Sequence, residues 1–170
     1  MNAAREASLY LSELSLEAVA TRALLALLPS DQLGWRPHPK SQTLGELASH
    51  LVNLPSWVPM TLEQPELDLA ASQGWTTPQV RSAQEALAAL EENLGVAKAS
   101  LERATEATFQ EPWTLRAGEQ VHFTQPKSGV LRGFVFNHLV HHRAQLGLYL
   151  RLLDIPLPSV YGPTADTPGM

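Results

Sequence analysis

Apolar side chains recur at alternating spacings of three and four along four stretches of the chain, the pattern of helices that each bury one face. The first stretch runs from about residue 3 to Leu28, where Leu9, Leu16, Ala20, Ala23, Leu24, Leu27 and Leu28 define the face and Pro29 ends the helix. The second is TLGELASHLVNL, residues 43–54, in which Thr43 and Glu46 have the spacing of a capping box and Pro55 and Pro59 stop or bend the helix. The third is the most regular: Val80, Ala83, Leu87, Leu90, Leu94, Ala97, Leu101 and Ala104 form a seam, with Thr77 as N-cap and Pro78 at the first helical position. The fourth starts with Ser128 as N-cap and runs to about Leu153, before Pro156 and Pro158.

Between these stretches the pattern changes. Residues 60–76 carry no convincing period and read as a surface connection, whereas WTLRAGEQVHFTQP, residues 113–126, places two β-prone runs around an AGEQ turn and predicts a small hairpin. The expected fold is all-α: a four-helix bundle with a long crossover connection between helices two and three and a small β-hairpin between helices three and four. One domain covers residues 1–170.

Composition narrows what such a bundle can do. A net charge of −5 with no run of lysines or arginines argues against binding a nucleic-acid backbone, which relies on basic side chains displacing counterions. Cysteine is absent, so disulfides, Cys-ligated metals and a cysteine nucleophile are all excluded. The apolar run ALLALL, residues 23–28, is far too short to span a bilayer and follows several charged residues, so no membrane partner is expected and the chain reads as cytoplasmic. The leucine-rich first and third helices have second faces that a homodimer would bury, although packing within one bundle explains the same residues.

The chemistry lies in the histidines, three of which fall within HLVHH, residues 138–142. On a helix His138 and His142 are about 40° apart and one turn removed, whereas His141 is about 100° from His142 and about 60° from His138 on the other side. The stripe Leu131, Val135, His138, His142, Gln145, Tyr149 is a continuous core-directed face, a costly place for unpartnered imidazoles. His50 lies on a comparable stripe with Leu47, Leu51 and Leu54, so His50, His138 and His142 can meet inside the bundle as ligands to one divalent metal. Such a site leaves at least one coordination position open. The alternative for each is an ordinary hydrogen-bonded core histidine, and spacing alone does not choose between the two. His38 and His122 read as surface or core residues of that ordinary kind. Leu139 stands where the H-E-x-x-H proteases have their glutamate base, so this turn supplies no base. Glu46, one turn before His50, either orients its imidazole or completes the cap with Thr43, and the cap is preferred.

The core-facing histidine of the second helix, the sequence NHLVHHRAQL and the ending LRLLDIPLPSVYGPTAD together resemble the DinB-like (damage-inducible, YfiT-related) superfamily of metal-binding four-helix bundles. The resemblance spans nearly the whole chain in helix order and is most specific over residues 137–166. It implies that His50, His138 and His142 ligate a divalent ion, zinc, nickel, manganese or iron, and that Arg143 and Gln145 match the H-R-x-Q tail of the family's motif. Ala144 replaces the glycine of many relatives. It also implies homodimers, and for some members a metal-dependent S-transfer that uses a low-molecular-weight thiol of the bacillithiol, mycothiol or glutathione type on a small electrophile. In that case Arg143 would either hold a carboxylate of the thiol or serve as a solvated or structural arginine, two readings the sequence does not separate. A non-catalytic metal-binding protein of stress or damage response, and a metal-dependent hydrolase, are the competing expectations.

Overall fold

The computed structural model describes residues 5–71 and 77–167; residues 3–4 of the expected first helix and 72–76 of the expected connection lie outside that range. Helix α1 (Arg5–Leu25) and helix α2 (Leu44–Asn53) are followed by a 3-10 turn (Leu54–Ser56), helix α3 (Trp57–Glu63) and strand β1 (Glu66–Asp68). Next come α4 (Ala83–Arg103), α5 (Glu106–Gln110), and strands β2 (Pro112–Ala117) and β3 (Gln120–Pro126). The last helical stretch is α6 (Lys127–Val130), a π-helical segment (Leu131–Asn137) and α7 (His138–Leu152). Helix α1 packs on α4 and α7, and α2 packs on the same two helices, so the apolar core lies among these four. The protein is thus mostly helical, with a three-stranded sheet in the order β1-β2-β3 added to it.

Local chemistry accounts for most of the boundaries. Thr43 Oγ1 accepts from Glu46 N at 3.1 Å while Glu46 Oε2 accepts from Thr43 N at 2.7 Å, which closes the expected capping box. A cap of this kind stabilises a helix by about 1 kcal/mol. Gly45 lets the chain pack closely there: a Cβ would stand 3.2 Å from the Leu33 carbonyl oxygen, the acceptor of Gly45's own N–H, a tighter contact than side chains ordinarily make. Pro55 and Pro59 bend the helical path rather than ending it, since the chain passes through the 3-10 turn directly into α3.

Four expectations need correction. Leu9 and Leu16 do not face the core: they are 63% and 70% exposed, and the buried face of α1 is Ala7, Tyr10, Leu14, Ala18, Leu24 and Leu25. The third long helix is capped by Ser82, whose Oγ accepts from Glu85 N at 3.1 Å, not by Thr77. The segment before it is not helical: Ser49 Oγ accepts the Val80 N–H at 3.0 Å and ties that stretch of chain to α2. The final helix begins at Lys127 after Pro126, with no side-chain cap from Ser128. Lys127, buried, instead donates through Nζ to the Leu62 carbonyl at 2.7 Å and to Glu111 Oε2 at 2.8 Å, anchoring the helix start to α3 and α5. Finally, residues 60–63 are helical and 66–68 form β1, which pairs parallel to β2 in register Leu67↔Leu115, so the connection is structured.

The expected hairpin is present as β2 and β3, antiparallel with Thr114 opposite Thr124. Gly118 at φ +59° makes its turn, a conformation in which a Cβ would be strained. The hairpin matters to the site because Phe123 on β3 packs against Phe134 of the π-helical segment, ring centroids 5.2 Å apart. Among the described residues no helix is long and apolar enough to cross a membrane.

Candidate metal centre

The second helix and the last helix each present imidazole at the same level of the core. His138 Nε2 lies 3.2 Å from His50 Nε2 and 2.8 Å from His142 Nε2, and the candidate ligand atoms of the three residues all lie within 4.8 Å of one another. All three rings are half-buried. Among the described residues no carboxylate joins this cluster.

Proton accounting shows what the cluster is suited to hold. The backbone N–H of His138 goes to Val135 O at the end of the π-helical segment, while the Phe134 carbonyl stands 3.2 Å from His138 Nδ1. A carbonyl can only accept, so Nδ1 carries the proton and the Nε2 lone pair faces the cluster. His142 Nδ1 lies 2.7 Å from Gln145 Oε1, which fixes the same tautomer. Two neutral imidazoles therefore point lone pairs at each other across 2.8 Å with no hydrogen between them. A cation relieves that repulsion. Nitrogens arranged tetrahedrally around zinc at ordinary bond lengths stand about 3.3 Å apart, close to the 3.2 Å between His50 and His138 and wider than the 2.8 Å between His138 and His142. The acceptors behind His138 and His142 are the outer partners that metal-bound histidines ordinarily have.

Burial acts in the same direction. Desolvation, followed by the neighbouring His142 and His138, pushes His50 down to about 4. His138 and His142 also lie below the ordinary histidine value, chiefly through desolvation and despite their hydrogen bonds to Phe134 and Gln145. All three are neutral at pH 7, the form that ligates metal. A depressed folded-state value means that the unfolded chain takes up protons first as pH falls below about 6.5, so stability is complete above that pH and is lost on the way down toward the folded values. Metal-free protein is expected to melt at progressively lower temperature between pH 7 and pH 5, with a shallower slope for His50→Phe. Parallel slopes for the two proteins would rule out His50 as a source of the dependence.

The remaining sequence candidates fall elsewhere. His141 is exposed and touches His142 only ring to ring, with centroids 4.8 Å apart, and it lines the cavity beside the cluster. His38 and His122 are exposed. Glu46 is engaged in its cap. Arg143 is buried away from the three imidazoles: it pairs with Glu17 of α1, donates to the Glu17 carbonyl at 3.0 Å and to the Tyr161 hydroxyl, and lies over the Tyr161 ring. It holds α1, α7 and the C-terminal segment together, and its charge already has a partner. An apolar cleft of about 440 Å³ beside it, lined by Val140, Ala144, Leu148 and Val160, contains none of the three histidines.

Trp57 is a site residue that sequence reasoning missed. Its ring lies edge-on to His50 at 5.9 Å and to His138 at 5.5 Å, forming one wall of the cluster. The only signal in the sequence was its place just after Pro55, where a bent rather than broken helix swings it back over α2.

A model of the DinB superfamily matches residues 13–146. The chain belongs to the DinB superfamily. In structure this DinB protein is similar to a DinB-like protein from Bacillus subtilis, with a TM-score of 0.67 at 16% identity over 88% of this chain and 95% of that one. It is also similar to a DinB-like protein from Bacillus cereus, with a TM-score of 0.63 at 21% identity over 86% and 92% of the two chains. At these identities the likeness concerns the fold. No curated protein matches this DinB protein in sequence.

Proposed function

We propose that this DinB protein binds one divalent metal ion through His50, His138 and His142 and uses it for thiol S-transfer to a small electrophile. The observation that supports the reading most is the 2.8 Å approach of two imidazole nitrogens whose protons are both committed elsewhere, at a cluster open on two sides. The four core helices, read as a four-helix bundle, would hold the ligands on two different helices, α2 and α7. When bound, a divalent ion lowers the pKa of a thiol so that thiolate is available near neutral pH. The chain has no cysteine of its own, so the sulfur comes from a small molecule. Among the described residues no carboxylate stands in the cluster to activate water, which makes hydrolysis the weaker reading.

The roles of the chain's own residues follow from the geometry. Phe134 O and Gln145 Oε1 hold His138 and His142 in the tautomer that directs Nε2 inward. Trp57 stands edge-on to His50 and His138 and forms one wall of the cluster. In the transfer the thiol proton leaves to solvent through the open cavity, the sulfur lone pair forms the new S–C bond, and the leaving group departs with the electron pair of the bond it breaks.

The test is to load purified protein separately with zinc, nickel, manganese and iron and to mix each with a panel of thiols and 1-chloro-2,4-dinitrobenzene. Product formation and chloride release should exceed the uncatalysed rate in at least one loaded form and return to it on chelation. Rates at background for every metal and thiol, with metal still bound, would leave a non-catalytic metal-binding protein as the correct description.

A further inference from the structure

The three histidines separate two cavities of opposite character. One, about 510 Å³, opens from His50 over Arg36, Lys40, Gln42, Thr77 and Gln79 and is lined mainly by polar groups. The other, about 500 Å³, opens from His138 and His142 over Trp57, Gly133 and Phe134 and is lined mainly by apolar ones. A ligand reaching the cluster from the first side meets charge and hydrogen-bond donors. From the second side it meets aromatic faces backed by Phe123 of the hairpin.

The charges in the polar cavity are not mutually satisfied. Arg36 and Lys40 are exposed and make no side-chain hydrogen bond or ion pair among the described residues, whereas the carboxylate within reach, Glu46, accepts the Thr43 N–H of its cap. Arg36 lies near enough to help hold the Glu46 carboxyl below its usual range, after the two hydrogen bonds from Thr43. Two cations against one carboxylate leave a local positive surplus at the mouth of the cluster, in a protein whose net charge is −5. Such an inversion of sign inside a cavity attracts and orients anions.

From this arrangement we infer that Arg36 and Lys40 form an anion-binding subsite that admits carboxylate-bearing thiols from the polar side, while the electrophile's flat apolar part lies on Trp57 and Phe134. The inference rests on the thiol-transfer reading for the identity of the sulfur, but the anion subsite is separable from it. The two subsites approach the cluster from different directions, so thiol and electrophile need not compete for one pocket. Arginine suits the role because its fork matches a carboxylate, with lysine adding a second, adjustable charge.

The test uses zinc-loaded protein, isothermal calorimetry, and two probes: glutathione and S-methylglutathione, which keeps both carboxylates but has no thiol proton to lose. Both probes should bind, glutathione more tightly, and both should weaken about tenfold or more in R36Q/K40Q and in high salt. Zinc content and melting temperature should be unchanged, since both side chains are exposed. Equal binding to wild type and double variant would overturn the subsite, as would binding of glutathione with none of its S-methyl derivative, or no binding of either. Equal affinity of the two probes, each lost in R36Q/K40Q, would uphold the subsite while refuting the thiolate reading.

Discussion

Replacing His142 with alanine is expected to lower divalent-metal affinity by more than about 100-fold, read by competition with a chromophoric chelator. Changes to the partners behind a ligand cost about 10–100-fold, and removing a ligand costs more. His142 is the sharpest choice because its Nε2 makes the 2.8 Å contact with His138 and its ring is aimed by Gln145. The same assay therefore ranks three variants. Gln145→Ala, which frees the His142 ring to rotate or change tautomer, should fall in the 10–100-fold range. His141→Ala should match wild type, since that imidazole lies outside the cluster. Wild-type affinity in His142→Ala would refute the three-histidine centre, and loss in His141→Ala equal to that in His142→Ala would require a different ligand set.

The legible parts of this fold were those with local causes. The capping box at Thr43 and Glu46, the seam through Leu90, Leu94, Ala97 and Leu101, and the hairpin around Gly118 depend on neighbours within a few residues, and each has the expected form. The direction of α1 was not legible because that helix has two apolar stripes, Leu9–Leu16–Ala23 and Ala7–Tyr10–Leu14–Leu25, roughly 160° apart. Periodicity finds both and does not say which one the other helices cover. Thr77 failed as a cap for a related reason: a hydroxyl on another helix, that of Ser49, takes the Val80 N–H, and the helix starts only after Ser82. At the site, helical spacing was enough to bring His138 and His142 together and to separate His141. It could not supply Trp57, the Phe134 carbonyl or the cationic loop at Arg36 and Lys40, because those reach the histidines through a bent helix, a π-helical turn and a loop folded over the α2 N-terminus. The long-range partner of Arg143, Glu17, was equally invisible, so the sequence alone did not separate a structural arginine from a ligand-binding one.

That arginine sets the second large effect. Arg143 is 2% exposed and its guanidinium is paired with Glu17, itself largely buried. Breaking a buried pair by removing one partner costs about 3–5 kcal/mol, because the remaining charge stays desolvated without compensation. In Glu17→Ala the Glu17 main-chain carbonyl still accepts from Arg143 and Tyr161 still covers it, which argues for the lower end, about 3 kcal/mol. For a chain of this length that corresponds to a fall of about 6–12 °C in melting temperature at fixed metal loading. The exposed pair Arg22–Glu91 provides the comparison, and Glu91→Ala should cost no more than about 1 kcal/mol. Glu17→Leu combined with Arg143→Met removes both charges and should recover most of the loss, since an apolar pair of similar volume is often as stable as the ion pair it replaces. If Glu17→Ala melts within a degree or two of Glu91→Ala, the clamp between α1, α7 and the C-terminal segment contributes little and Arg143 becomes free for another role. If it melts far lower and the double variant recovers with metal affinity unchanged, stability and metal binding are assigned to opposite faces of the same helix.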